Sequence, residues 1–404
     1  MVSMRESRLQ VSRRSFVVAP LGAAALRARS ANDRIEVGVI GAGGRGFELM
    51  RQVAQAKGGN AVITAICDVY RPNREKAVEF VERTWGIKPR QTVDYKELLS
   101  RRDVDAVLIA APDFTHSIML KEAVEAGKDV YCEKPMGVDF NEAKAAYLAV
   151  RKSDRVVQIG TQRRSDPRLA GAAKLVRSGI LGQVTRVEFS VNFQEPRWRR
   201  DYTHIRPEDV AWPQFLMHRP SRPFDARRFR EWQLFRDYTN GIAGLWMSHF
   251  IDLVPWFLDD PYPAGAVANG GVYLWKDGRE TSDVFHALLD YPKGFLVSFS
   301  MSLTNAAGNR NLWFGTRGTL DADAMKITGE GSRMPDRLTE EIKVTEEPMN
   351  SHMENFLECV RTRGAPRADI QAGFSHAVAV CMASLALDLG KKIRFDRDKL
   401  ELIV

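Results

Sequence analysis

Three stretches of this sequence hold residue types that can move protons or grip a hydroxylated ligand. In the first, Glu133-Lys134-Pro135 directly follows a short apolar run, Asp129–Cys132. If that run is a strand of a parallel sheet, the lysine stands at its carboxyl end, in the crevice where open α/β sheets bind ligands. An ammonium there can donate to a hydroxyl and stabilise charge as that hydroxyl is oxidised. A lysine at a strand end is also a common solvated surface charge. The second stretch is Gly241–Leu258, GIAGLWMSHFIDLVPWFL, with His249 inside it. At helical spacing Leu245, His249, Asp252 and Trp256 share one face, and Ile242, Trp246, Phe250, Leu253 and Phe257 share another. A histidine on a face that carries an acid is a candidate proton acceptor near neutral pH. Its other ordinary role is that of a satisfied structural histidine. The third is Gly160-Thr161-Gln162-Arg163-Arg164, whose arginines either form ion pairs between domains or clamp an anionic or hydroxyl-rich ligand.

These residues need a frame, and Ile35–Phe47, IEVGVIGAGGRGF, supplies its start. Ile35, Val37, Val39 and Ile40 form a β-branched run of the kind buried on both faces of a sheet. It ends in Gly41-Ala42-Gly43-Gly44-Arg45-Gly46, the spacing G-x-G-x-x-G. The first glycine permits a tight turn, the second lets a pyrophosphate approach the backbone, and the third packs a helix on the strand. A helix over 45–57 then offers its N-terminal N–H groups to an anion. A second strand, Ala61–Cys67, ends in Asp68, 22 residues past Gly46, where an acid hydrogen-bonds the adenosine ribose. The cofactor so implied is NAD. Asp68 repels a 2′-phosphate, although Arg71 or Arg74 would allow NADP. The competing reading is a flavodoxin-like turn that binds nothing.

Downstream, helices are expected over Asn73–Trp85, from Tyr95, over Thr115–Ala126 and over Asn141–Lys152. They alternate with apolar runs Val104–Ala110, Asp129–Cys132 and Val156–Ile159. Such alternation implies parallel βαβ units with right-handed crossovers, hence a doubly wound sheet over 33–157. From Gly160 the pattern changes. After a helix over Leu169–Ser178, Val184–Asn192 alternates as a half-exposed strand, and residues 193–236 are irregular and rich in arginine, tryptophan and proline. Strands then follow at Ala266–Leu274, Asp283–Leu289, Phe295–Met301, Asn311–Gly315 and Thr319–Asp321. Consecutive strands joined by turns imply an open, mostly antiparallel sheet in an α+β domain over 158–365. Helices are expected at 351–363 and 369–390, and the segment 366–404 is expected to return to the first domain.

A chain of 404 residues with 44% hydrophobic and 27% charged residues is a soluble protein of about two domains. Its net charge of +8 is concentrated at one end. Residues 1–31 contain six arginines and one acid (Glu6), leaving 53 basic against 50 acidic residues elsewhere. No basic stripe interleaved with aromatics points to nucleic acid. The four cysteines (Cys67, Cys132, Cys359, Cys381) have no C-x-x-C spacing, so neither a metal site nor a disulfide framework is expected. Ser12-Arg13-Arg14-Ser15-Phe16 with the apolar segment Phe16–Leu26 resembles a twin-arginine export signal over 1–31, which implies a periplasmic protein without a stable membrane span. A disordered basic tail is the alternative.

The order GAGGRG, Asp68, Ala111-Pro112, Glu133-Lys134-Pro135, Gly160–Arg164 and His249 resembles the family of glucose–fructose oxidoreductase, inositol dehydrogenase and MocA. The resemblance covers nearly all of the chain after the export segment. It implies a dinucleotide-binding domain, a C-terminal sheet that often mediates homo-oligomerisation, and hydride transfer between NAD(P) and a hydroxyl of a sugar or polyol. By resemblance, Lys134 and His249 are the catalytic pair. The cofactor set is Gly41, Gly43, Gly44, Arg45, Gly46, Asp68, Pro112, His116, Glu133 and Lys134. On the substrate side stand Arg163, His249 and the loop residues Trp198 and Tyr202, whose rings suit sugar C–H faces but equally suit core or interface packing. One position departs from the family pattern: four residues before the histidine, where an aspartate is common, stands Leu245. Either Asp252, Asp237 or Asp201 substitutes, or the proton chemistry differs. That departure leaves open an NAD-dependent glycosidase, which oxidises the sugar transiently with no net redox change, and a non-catalytic sugar-binding protein on the same fold.

Overall fold

The computed structural model describes residues 34–404. The expected export signal lies outside the described residues. Six parallel strands form the first sheet: β1 (Ile35–Ile40), β2 (Ala61–Cys67), β3 (Arg90–Thr92), β4 (Ala106–Ile109), β5 (Asp129–Cys132) and β6 (Val157–Ile159). Their order is β3-β2-β1-β4-β5-β6. All four residues of β4 and of β5 are buried, as runs covered by helices on both faces must be. The strand order reverses between β1 and β4, and there the crossovers diverge and leave a crevice at the strands' carboxyl ends. The helix Gly44–Gln55 follows β1 after the turn Gly41–Gly43 and packs close on it, because Gly46 has no side chain. A Cβ there would fall 1.8 Å from the Gly41 carbonyl oxygen.

The second sheet has ten strands in the order β14-β13-β12-β11-β7-β10-β9-β8-β15-β16. These are β7 (Val184–Asn192), β8 (Gly265–Gly271), β9 (Val284–Tyr291), β10 (Phe295–Ser302), β11 (Arg310–Gly315), β12 (Thr319–Asp321), β13 (Lys326–Thr328), β14 (Ile342–Lys343), β15 (Ile393–Asp396) and β16 (Glu401–Ile403). Every pairing is antiparallel except β7 with β10. Alternate residues of β9 and β10 are buried (Phe285, Ala287, Leu289; Val297, Phe299, Met301), the period of two that one covered face requires. On the other face Val267 pairs with Leu288 across β8 and β9, and both are exposed.

Two helices of the C-terminal segment pack on the first domain. His352–Thr362 carries Met353, Phe356, Leu357 and Val360 on one stripe, and that stripe packs under the first sheet with Val37, Leu49 and Ile63. Ile370–Leu389 is apolar on all sides and so must be surrounded. It runs between Phe140–Arg151 of the first domain and β8 of the second. Among the described helices it alone is long and apolar enough to cross a membrane, with 83% of its apolar window buried inside the protein. The tail that follows pairs β15 with β8 and so extends the second sheet, while Phe395 meets the Phe140 ring and the Lys399 oxygen accepts from Lys144 of the first domain.

The segment 241–258, expected as one helix, is divided into a wide π turn, Ala243–Met247, and two short helices, Ser248–Ile251 and Leu253–Leu258. Pro255 has no N–H for the Ile251 carbonyl, which accounts for the second break. The wide turn advances the backbone by more than four residues per turn, so faces counted at 3.6 do not carry through it.

Candidate active site

The glycine loop opens the crevice. Gly41 takes φ +86°, available without strain only to glycine. The helix after it has no side-chain cap and no acid in its first turn, so its N-terminal N–H groups face the crevice unsatisfied by the protein's own side chains. Asp68 closes the loop from β2. Its Oδ2 accepts from Ala42 N at 2.7 Å and Asn73 Nδ2 at 3.2 Å, and its Oδ1 accepts from Tyr70 N at 2.8 Å. Burial raises the pKa of this carboxyl against those three bonds. With three protein donors already in place, one lone pair of Oδ1 remains for a ribose hydroxyl. Gly41, Gly43, Gly44, Arg45, Asp68 and Pro112 line one cavity of about 400 Å³. The two arginines considered for a 2′-phosphate are otherwise engaged: Arg71 Nε pairs with Asp209 at 2.9 Å, and Arg74 donates to the Asp68 main-chain oxygen at 2.6 Å.

Beyond this cavity lies the Glu133-Lys134-Pro135 loop, with Arg45 linking the two. Glu133 is buried and accepts from Arg45 Nε at 2.6 Å and Gln162 Nε2 at 3.0 Å. Of the expected cofactor contacts, Glu133 is therefore an anchor between the glycine loop and the domain junction, while Arg45 Nη2 stays buried without a partner. His116 is displaced from its expected role altogether. It is buried, and its ring nitrogens lie 2.7 Å from the Pro135 oxygen and 2.8 Å from the Ala111 oxygen, so it ties β4's end to the lysine loop and has no atom left for a cofactor.

Lys134 Nζ donates to the Leu245 carbonyl at 3.0 Å, across the domain boundary. Gly244 packs beside this contact with room for a methyl group at ordinary van der Waals distance. A Cβ there would lie 3.4 Å from Pro135 Cγ and 3.6 Å from Asp113 Oδ2. Burial lowers the Lys134 pKa, and the charges of Asp113 and Glu133 oppose that shift. Asp113, itself buried with its pKa raised, accepts from Thr239 Oγ1 at 2.8 Å. Nothing in the spacing of the sequence marks this carboxylate as part of the site, although it follows Pro112 directly.

His249 follows the π turn, within the field of Lys134. Burial pushes its pKa well below the ordinary imidazole value, and Lys134, Arg163, His376 and Arg45 push the same way. Among the described residues its ring has no hydrogen-bond partner, and Trp246 meets it edge-on at 6.2 Å. Arg163 stacks on Phe250 with 4.0 Å to the ring centroid and makes no ion pair among the described residues, which leaves its donors free toward the cleft. None of the acids considered in place of Leu245 reaches the imidazole. Asp252 bonds Arg164 Nε at 2.8 Å, Asp237 pairs with Arg222 and Arg228, and Asp201 caps Thr203 at the surface. Arg164 of the domain junction holds the Asp252 carboxylate instead.

The loop aromatics lie elsewhere. Tyr202 packs on the cluster around Phe215 and lines a surface groove with residues 221–228, away from Lys134. Trp198 bridges two apolar clusters. Arg197, stacked on Trp246 at 4.8 Å, is the loop residue next to His249's neighbour. The loop also lines the cavity beside the glycine turn, with Arg200, Phe229, Arg230 and Trp232. No periodicity or spacing in the sequence signals that docking.

Residues 35–161 match the family described as oxidoreductase family, NAD-binding Rossmann fold, and residues 169–321 match the GFO/IDH/MocA C-terminal domain, together more than half of the chain. An inositol 2-dehydrogenase of Salmonella paratyphi B is 30% identical over 150 residues, 37% of this chain and 43% of that protein. A glycosyl hydrolase family 109 protein of Shewanella baltica is 28% identical over 196 residues, 45% of this chain and 42% of that protein. The chain thus matches less than half the length of these curated relatives. The WlbA dehydrogenase of Bordetella pertussis, solved with NADH and UDP-GlcNAcA, superposes with a TM-score of 0.68 at 20% identity over 90% of this chain and 99% of that one, a likeness of fold.

Proposed function

The chain belongs to the GFO/IDH/MocA family of NAD-binding oxidoreductases, and on that premise we propose that it transfers hydride between a nicotinamide dinucleotide and a hydroxyl of a sugar or polyol. The observation that carries this reading is the contact of Lys134 with the backbone of His249's own segment, which brings two proton-handling groups from separate domains to one end of the crevice. The uncapped helix after Gly43 and the orphaned Arg45 Nη2 fit a bound dinucleotide. When bound, that cofactor supplies the hydride acceptor. His249, kept neutral by burial and by its cationic surroundings, takes the hydroxyl proton, and Lys134 bonds the same oxygen and stabilises its developing charge. Arg163 orients the ligand through its free donors. Replacing Lys134 by Met is expected to lower turnover of the active polyol or aldose by at least about 10²-fold with cofactor affinity retained. Undiminished turnover in that variant rejects the assignment.

Leu245 and the absence of a carboxylate on His249 favour a second reading, an NAD-dependent glycosidase that takes and returns the hydride. Cleavage of an aryl glycoside with no net reduced cofactor selects it; accumulation of reduced cofactor on adding free sugar rejects it. The twin-arginine segment supports export to the periplasm with cofactor already bound. The exposed Val267–Leu288 pair on the outer sheet face supports a homo-oligomer through that sheet.

A further inference from the structure

The cavity beside the glycine loop has two walls of different origin. One is the first domain: Gly43, Gly44 and Asp68. The other is the arginine-rich loop of the second domain, and it is fastened down. Ala211 N donates to the Val69 oxygen at 2.8 Å, Tyr70 bridges to Val210, and Phe229 packs on the Tyr70 ring at 5.6 Å. Two guanidinium groups, Arg200 and Arg230, line the cavity from that wall.

The pair is unusual in having no counter-charge. Among the described residues neither side chain makes a hydrogen bond or ion pair, and Arg230 Nε is buried with no acceptor. Burial holds the Arg200 guanidinium below its ordinary value and the charge of Arg230 adds to that, with Glu231 opposing. Glu231 is already committed, accepting from Arg227 Nε at 2.9 Å and from the Arg200 main-chain N at 2.7 Å. Asp68 is held by its own three donors. Two like charges lining one cavity, Arg230 with a buried unpartnered Nε and Arg200 open to solvent, with every nearby carboxylate engaged, suit an anion that enters the cavity.

We propose that Arg200 and Arg230 are a phosphate clamp, by which the second domain's loop grips a phosphate of the dinucleotide from the side opposite the helix N-terminus. The inference rests on the dinucleotide reading of the cavity and adds to it a second-domain contact. The phosphate comes either from the pyrophosphate, common to NAD and NADP, or from the 2′-phosphate of NADP. The clamp also couples cofactor binding to docking of residues 200–233.

Trp232 lines the same cavity, so quenching of tryptophan fluorescence by added NAD or NADP reads binding without turnover. Arg200→Gln and Arg230→Gln are each expected to weaken binding by about 10- to 100-fold, the range of a charge-assisted hydrogen bond. Loss for both dinucleotides assigns the pyrophosphate, and loss for NADP alone assigns the 2′-phosphate. Because the two charges repel each other, both variants without ligand should melt at or above the wild-type temperature. Arg200→Lys and Arg230→Lys keep charge without the fork and should fall between. Wild-type affinity for both dinucleotides in the Gln variants overturns the clamp, as does a lowered melting temperature of the ligand-free variants that accounts for the lost binding. Wild-type protein that binds neither dinucleotide overturns the cavity reading and the clamp with it.

Discussion

Asp252 and Arg164 offer a direct test of how the two domains are held in register at the site. Asp252 is 1% exposed, and its Oδ2 accepts from Arg164 Nε at 2.8 Å, with Arg164 Nη2 donating to the Asp252 main-chain oxygen at 3.2 Å. Replacing Asp252 by Ala leaves a buried guanidinium with one carbonyl for company. Removing one partner of a buried pair costs about 3–5 kcal/mol, because the remaining charge is neither paired nor hydrated. The pair as a whole is worth much less. Asp252 Oδ1 makes no close hydrogen bond, with only the Thr161 hydroxyl near it, and burial has already raised the carboxyl's pKa against the pull of Arg164. Arg164→Met with Asp252→Leu therefore should recover most of the loss and lie within about 1–2 kcal/mol of wild type. Urea unfolding followed by tryptophan fluorescence of wild type, Arg164→Met, Asp252→Leu and the double variant gives the four corners of the cycle and hence the coupling, with Asp252→Ala measured beside them. Asp252→Ala should also lose activity, since Asp252 anchors the short helix that carries His249 to the 160–164 junction. A loss below about 1 kcal/mol for Asp252→Ala, or a double variant worse than the two single losses added together, refutes the account of a buried, strongly coupled pair.

Two further outcomes follow from the buried ionisable groups. Burial lowers the pKa of His352 to about 4 and that of His376 to about 3, below the unfolded value of about 6.5. The unfolded chain therefore binds more protons, and the stability these groups contribute is full above about pH 6.5 and lost as pH falls, by roughly 2–3 kcal/mol each at pH 4.5. His376 Nε2 accepts from Met136 N at 3.0 Å, a role Asn can keep, so His376→Asn should show a shallower fall in melting temperature between pH 6.5 and 4.5; an identical slope counts against the assignment. Asp113→Asn removes a charge that raises the Lys134 pKa while leaving an acceptor for Thr239, so the limb of the pH–rate profile that reports Lys134 should move to lower pH; an unmoved profile detaches Asp113 from the lysine.

The half of the fold that rests on local rules was legible in advance. A β-branched run ending in G-x-G-x-x-G can bury its strand, turn at Gly41 and pack its helix at Gly46 in essentially one way, because a Cβ at Gly46 collides with the backbone. Alternation of apolar runs with helical periods likewise specified a parallel sheet, and period-two burial specified the second. What depends on groups distant in sequence was not legible. His116 looks like a cofactor ligand until the carbonyls of Ala111 and Pro135 occupy both its nitrogens. Asp252 looks like His249's partner until Arg164, 88 residues away in sequence, takes its carboxylate. Arginine crowding in 193–236 gives no hint that Arg200 and Arg230 face the cofactor cavity while their neighbours find acids. Spacing along a chain determines which side chains share a local face. Only the packed structure decides which donor meets which acceptor across domains, because each buried polar atom takes the partner that the rest of the core leaves within reach.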